Sequence, residues 1–310
     1  MLRFLLELLP CLLIGVWAGR RHPALSGRLA TPLVRFGVPL SVMGLLLKGG
    51  LSLEMLTSAG LAVLAISVVL LVTARFPAGF GLIRPSMRLG CCIGNTAYFG
   101  IPLALAFLPQ QVLPISIGYD LGATLLTWSV GPVLIGAGGG AAGAHSGAKA
   151  WRGLLVNLGS SPATRGLLGA LLVQWLPWRS VVTDALWWPS RLVILLALAV
   201  VGMRLGSMSS LGDAPGPVQF GLLPALIGKL LLYPLLLLLL GLVMQLDPLM
   251  VQAIALQGAA PTAISLLLIA ESEGVDQQRA AGLVFWSTVL ALITAPLWGF
   301  ALPLLVSLPG

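Results

Sequence analysis

Ten apolar runs follow one another along the chain with only short polar breaks, centred near residues 12, 40, 67, 98, 124, 171, 197, 231, 259 and 294. Each is close to the about 17–25 residues that a helix needs to cross hydrocarbon. A bilayer core offers no water to backbone groups, so apolar runs of this kind must satisfy their own N–H and C=O groups as helices. Only 8% of the 310 residues are charged, against about 25% in soluble domains. That is too few to clothe a water-soluble surface of this size. The expected class is an all-α polytopic membrane protein with ten transmembrane helices. The first run could be mistaken for a cleaved leader, but it carries Glu7, has only Arg3 ahead of it, and runs into "GRRHP". It reads as a retained helix.

The net charge of +8 comes without a basic run or interleaved aromatics, which argues against nucleic acid as a partner. The cations instead cluster at the ends of apolar runs and orient them. With the N-terminus outside, Arg20, Arg21, Arg28, Arg75, Arg84, Arg88, Lys149, Arg152, Arg165, Arg204 and Arg279 all fall in inner loops. Arg3, Lys48, Arg179 and Arg191 fall outside. The positive-inside bias therefore places both termini on the outer side. The tryptophans of "WLPWRS" and "LWWPS" bracket a proposed outer loop, where indole rings favour the interface. Three cysteines within apolar runs and two histidines in loops make neither a disulfide framework nor a metal cluster. No metal and no cofactor is expected.

The Gly- and Ala-rich stretch "GAGGGAAGAHSGAKAWRGLLVNLGSSP" reads as a flexible linker. It divides the chain into a first half, residues 1–135, a linker, residues 136–164, and a second half, residues 165–310, with five runs on either side. An odd number of spans per half turns the second half upside down, which is the inverted-repeat arrangement of secondary transporters. The halves share marks. Gly44 precedes Pro102 by nearly the interval that separates Gly202 from Pro261. Pro132 follows Pro102 much as Pro296 follows Pro261, the extra polar loop "ESEGVD" lengthening the second interval.

Two runs carry residues that disrupt helices at corresponding places: "GNTAYFGIP" in the fourth and "LQGAAPTAIS" in the ninth. Pro102 and Pro261 deprive the carbonyls of Tyr98 and Gln257 of their donors. Irregular backbone at membrane depth is tolerated where protein or water satisfies it. The expectation is a pair of crossed discontinuous helices, numbers 4 and 9, forming a substrate site near the midplane. Proline suits the first turn of a helix, so Pro102 and Pro261 are expected to open the second half of each broken helix. Positive helix ends would then face the crossing. Asn95, Thr96, Gln257 and Thr262 add neutral donors and acceptors, and Gly100 allows close approach. Two positive ends with no carboxylate nearby suit a small organic anion.

The stretch "NTAYFGIPL" resembles the crossover segment of the auxin efflux carrier family, which includes bacterial permease-like members. "ALQGAAPTAISLLLIAESEGVDQQRAAGLVFWSTVLALITAPLW" resembles that family's C-terminal segment, and "SSPATRGLLGALL" is similar to its sixth span. The resemblance implies a ten-helix inverted-repeat fold related to the sodium–bile acid symporters, with a scaffold and a moving transport domain. It implies that Asn95 and the backbone around Pro102 and Pro261 contact the substrate carboxylate, and that the chain sits in a bacterial inner membrane. The chain lacks the long central loop of the plant carriers, and its second crossover reads "PTAIS", so the resemblance does not extend to one substrate.

Charges within the spans carry their own expectations, because each is expensive in hydrocarbon. Arg35 is placed to snorkel to the inner interface. Asp120 and Lys229 either pair with each other or couple transport to a proton or sodium ion. Glu271, Glu273 and Asp276 read as a solvated acidic loop. The alternative of an intramembrane aspartyl protease rests on "YD" at 119–120, "LGD" at 211–213 and "PAL" at 224–226. It fails for want of the first glycine of G-x-G-D and because Asp213 precedes "APGP". A channel or receptor is a further alternative. The sequence thus points to a permease rather than an enzyme: a secondary transporter moving a carboxylate or auxin-like weak acid by alternating access, with lipid and a small anion as partners and a homodimer left open.

Overall fold

The structure is a computed structural model that describes residues 2–50, 52–138, 156, 159, 162–210 and 221–306. Among these residues all regular structure is helical, and the chain is an all-α membrane protein. Most of the linker at 136–164, and Asp213 with the rest of "LGD", lie outside the described residues.

The helices are α1 (Leu2–Arg21), α2 (Leu25–Pro32), α3 (Val38–Gly49), α4 (Leu53–Arg75), α5 (Pro85–Gly90), α6 (Ile101–Phe107) and α7 (Val112–Gly138). After the linker come α8 (Pro162–Gln174), α9 (Arg179–Ser210), α10 (Leu223–Ile227), α11 (Tyr233–Val243), α12 (Pro248–Gly258), α13 (Ile264–Glu273) and α14 (Gln277–Leu305). Among the described residues four stretches are long and apolar enough to cross a membrane: Leu53–Arg75, Arg179–Val200, Leu223–Val243 and Gln277–Leu305.

Among the described residues three π-helical turns interrupt the α geometry, at Leu33–Gly37, Thr96–Gly100 and Gly228–Leu232. Each ends two residues before a proline: Pro39, Pro102 and Pro234. Proline has no N–H, and its ring pushes away the carbonyl four residues back. The preceding turn widens in response, so that Val38, Ile101 and Tyr233 donate to carbonyls five residues back, on Leu33, Thr96 and Gly228. The carbonyl that Pro234 frees, that of Leu230, accepts the Trp298 indole N–H at 2.9 Å.

The chain forms two compact units, each drawn from both halves of the sequence. One comprises Met1–Leu53 and Gly159–Ala214, the other Glu54–Leu158 and Pro215–Gly310. In the first, α1 lies backbone to backbone on α9. A side chain at Gly15 or Gly19 would collide with the main chain of Ala199 or Met203. The Ser41 hydroxyl donates to the Ser190 carbonyl at 3.2 Å, and the Ser190 hydroxyl donates to the Leu40 carbonyl at the same distance.

The second unit holds the two broken helices. Its outer bond between them is ionic. Asp276 accepts from Arg84 at 3.3 Å, from Arg279 at 3.2 Å and from the Ser86 hydroxyl at 2.8 Å, and its side chain is only 4% exposed. The solvated acidic loop expected from sequence therefore holds for Glu271 and Glu273, which are exposed, but not for Asp276. Two arginines and the hydroxyl at the start of α5 draw it in.

Candidate functional site

The fourth and ninth apolar runs are both unwound, and they meet. Between α5 and the π turn at Thr96, residues 91–95 leave the helix; between α12 and α13, residues 259–263 do the same. Gly94 and Thr262 form an isolated antiparallel bridge. The Asn95 N–H donates to the Pro261 carbonyl at 2.7 Å, and the Ala263 N–H donates to the Ile93 carbonyl at 3.4 Å. Asn95 adopts φ −75° and ψ 64°, an inverse γ-turn that ends the extended piece and starts the next helical turn.

The first break precedes the position that Pro102 suggested, and the second contains Pro261. Pro102 lies within the first turn of α6, because the π turn absorbs its missing N–H without ending the helix. Pro261 lies inside the non-helical stretch, three residues before α13. The Gln257 carbonyl that it deprives accepts instead from the Ala260 N–H at 3.3 Å.

Four helix ends converge here, and the chain treats each differently. At the C-terminus of α5, the Gly90 carbonyl accepts the Thr262 hydroxyl at 3.0 Å. At the C-terminus of α12, the Gly258 carbonyl accepts the Lys229 ammonium at 2.6 Å. A cation at the negative end of a helix is favourably placed. At the start of the π turn, the Asp120 carboxylate accepts the Thr96 hydroxyl at 2.5 Å, together with the Ala97 N–H and the Thr124 hydroxyl. At the start of α13 the cap residue Ala263 offers no side-chain hydrogen bond, and the nearby Thr262 N–H is taken by the Ser287 hydroxyl at 3.0 Å.

This arrangement removes one of two alternatives and corrects one expectation. Asp120 and Lys229 do not pair: among the described residues no ion pair joins them, and each neutralises its own helix end. One positive end does have a carboxylate nearby, since the following helix α7 carries Asp120 back to it. The end at α13 is the one that lacks an acidic cap.

The predicted site residues come together. Asn95, Thr96, Gln257, Pro261 and Thr262 are all buried at the crossing, with Gly100 beside them. Gln257 is fully buried, and among the described residues neither its carboxamide oxygen nor its nitrogen has a hydrogen-bond partner. A buried polar group without a partner costs about 1–3 kcal/mol. A Cβ at Gly100 would collide with that carboxamide oxygen, so a side chain there requires Gln257 to shift.

Lys229 is fully buried in the π turn before Pro234, with its ammonium 4.8 Å from the centroid of the Tyr233 ring. The Tyr233 and Tyr119 hydroxyls are hydrogen-bonded at 2.7 Å. Sequence reasoning missed Ser287 and Thr124. Thr124 lies one helical turn after Asp120, a spacing that puts both on one face. Ser287 carried no comparable signal.

Residues 146–299 match the family described as membrane transport protein. No curated protein matches the chain. The matched region contains α12, the second unwound segment and α13, half of the crossing described above, and through it the chain belongs to this family of membrane transporters, the auxin efflux carriers.

Proposed function

We propose that the chain is a secondary carrier that moves a small organic anion, a carboxylate or auxin-like weak acid, by alternating access. In this reading residues 1–135 and 165–310 are two inverted five-helix repeats with both termini on the outer face of a bacterial plasma membrane. The substrate binds at the crossing of spans 4 and 9, against Asn95, Thr96, Gly100, Pro102, Gln257, Pro261 and Thr262. Asp120 and Lys229 supply the charges of the site, and the cycle is coupled to a proton or sodium gradient.

The observation that carries this reading is the buried Gln257 carboxamide, which has no partner among the described residues and lies against Gly100, on a broken helix whose second half starts without a side-chain cap. Donors left unused at a paired break suit an anion that arrives and departs. A simple kink would leave no such group. The test is uptake and efflux of labelled mono- and dicarboxylates by the reconstituted protein, with and without proton and sodium gradients. Wild type should carry at least one acid, and Asn95→Ala should abolish its binding while leaving membrane insertion intact. Equal binding by Asn95→Ala, or no acid carried by wild type, refutes the assignment.

A further inference from the structure

Asp120 occupies a helix end that an incoming anion would also seek. Its carboxylate is buried, and its partners are the Thr96 hydroxyl, the Ala97 N–H and the Thr124 hydroxyl. All three donate. An N–H cannot ligate a metal cation, so this surrounding suits an anion, or a carboxyl that exchanges a proton, better than a sodium ion.

The groups that face Asp120 leave it without a counter-charge. The π turn contributes Tyr98, while α6 and α12 carry no ionisable residue. Arg88 on α5 donates to the Leu82 and Ile83 carbonyls. On α13, Glu271 and Glu273 sit in the last turn, with Glu273 beside Gly136, several turns along α7. On α4, Glu54 and Arg75 lie at opposite ends. Among the described residues Asp120 forms no ion pair, whereas Lys229 is held on the Gly258 carbonyl.

We infer that Asp120 is the proton-carrying group of the cycle, and that its carboxylate competes with the substrate carboxylate for the Thr96–Ala97 helix end. The inference rests on the carrier reading above and names its coupling ion. One proton from water neutralises Asp120, and the Thr96 hydroxyl and Ala97 N–H turn to the substrate. One substrate carboxylate replaces that of Asp120, so the charge at this helix end stays constant, and a diacid adds only the charge of its second carboxylate. On the far side substrate leaves, the proton returns to water, and Asp120 recaps the helix. Lys229 keeps its bond throughout as the fixed charge.

Two measurements on the purified full chain test this. In vesicles with the membrane potential clamped at zero, wild type should accumulate labelled malonate about tenfold per unit of pH gradient, and Asp120→Asn should accumulate none. Retained gradient-driven accumulation in Asp120→Asn overturns the inference. Independently of any substrate, infrared spectra of acidified wild type should show a C=O stretch of one buried protonated carboxyl, resolved from the bands of the other acidic residues. The band should vanish in Asp120→Asn and return at a shifted frequency in Asp120→Glu. A wild type without the band, or an unchanged band in Asp120→Asn, overturns the inference whatever the protein carries. If the band behaves as expected but no acid is transported, the carrier reading falls instead.

Discussion

Replacing Thr262 by Val tests whether the crossing is held by the bonds described here. Valine keeps the β-branched shape and removes only the hydroxyl. Thr262 is 1% exposed, and its hydroxyl reaches the Gly90 carbonyl at 3.0 Å. That carbonyl ends α5 at a place where water does not substitute. Orphaning it costs about 1–3 kcal/mol by mutational experience in folded proteins. Side-chain hydrogen bonds in membrane helices average about 0.6 kcal/mol and reach about 1.7. The two ranges overlap at about 1–1.5 kcal/mol, close to a tenfold shift in the folded-to-unfolded ratio. Thr262→Ser, which retains the donor, should stay within about 0.5 kcal/mol of wild type. Reversible unfolding in mixed micelles, followed by tryptophan fluorescence, measures both. Equal stability of the Val and Ser variants would show that the hydroxyl does not hold the end of α5.

Gly100→Ala drives a methyl group into the Gln257 carboxamide and should destabilise the protein by about 1–3 kcal/mol. Adding Gln257→Ala should restore the melting temperature but not transport, which separates the steric from the chemical role of that side chain. Asp276→Asn removes the charge that two arginines share, and should cost about 1–2 kcal/mol in a denaturant titration. The figure is modest because the Arg84 and Arg279 side chains are 55% and 37% exposed and solvent screens them. Asp184→Asn breaks a contact to Lys48 at 3.8 Å between side chains 77% and 44% exposed, and should change stability by no more than about 0.5 kcal/mol in the same titration.

The two breaks were legible because their residue types conflict with an apolar helix: Gly94 and Asn95 in one run, the Gly-Ala-Ala-Pro stretch in the other. The exact site of unwinding was not. Proline announces a lost donor, but a helix can answer by widening into a π turn, as it does before Pro102 and Pro234, and continue. The partners of Asp120 and Lys229 were also hidden. Both lie on helices whose sequence neighbours are apolar, and only the packing of α7 and of the π turn at Gly228 against the crossing decides which helix end each one serves. Asp276 looked solvated for a related reason: its neighbours in sequence are polar, while the arginine that draws it in from α5 is 192 positions away.

The two bonds of the bridge between Gly94 and Thr262 involve main chain alone. Those bonds form whatever side chains the two strips of backbone bear, whereas the Thr262 and Ser287 hydroxyls add ties that depend on residue type. In the carrier reading proposed above, moving one strip while the other stays in place therefore means breaking both of these main-chain bonds.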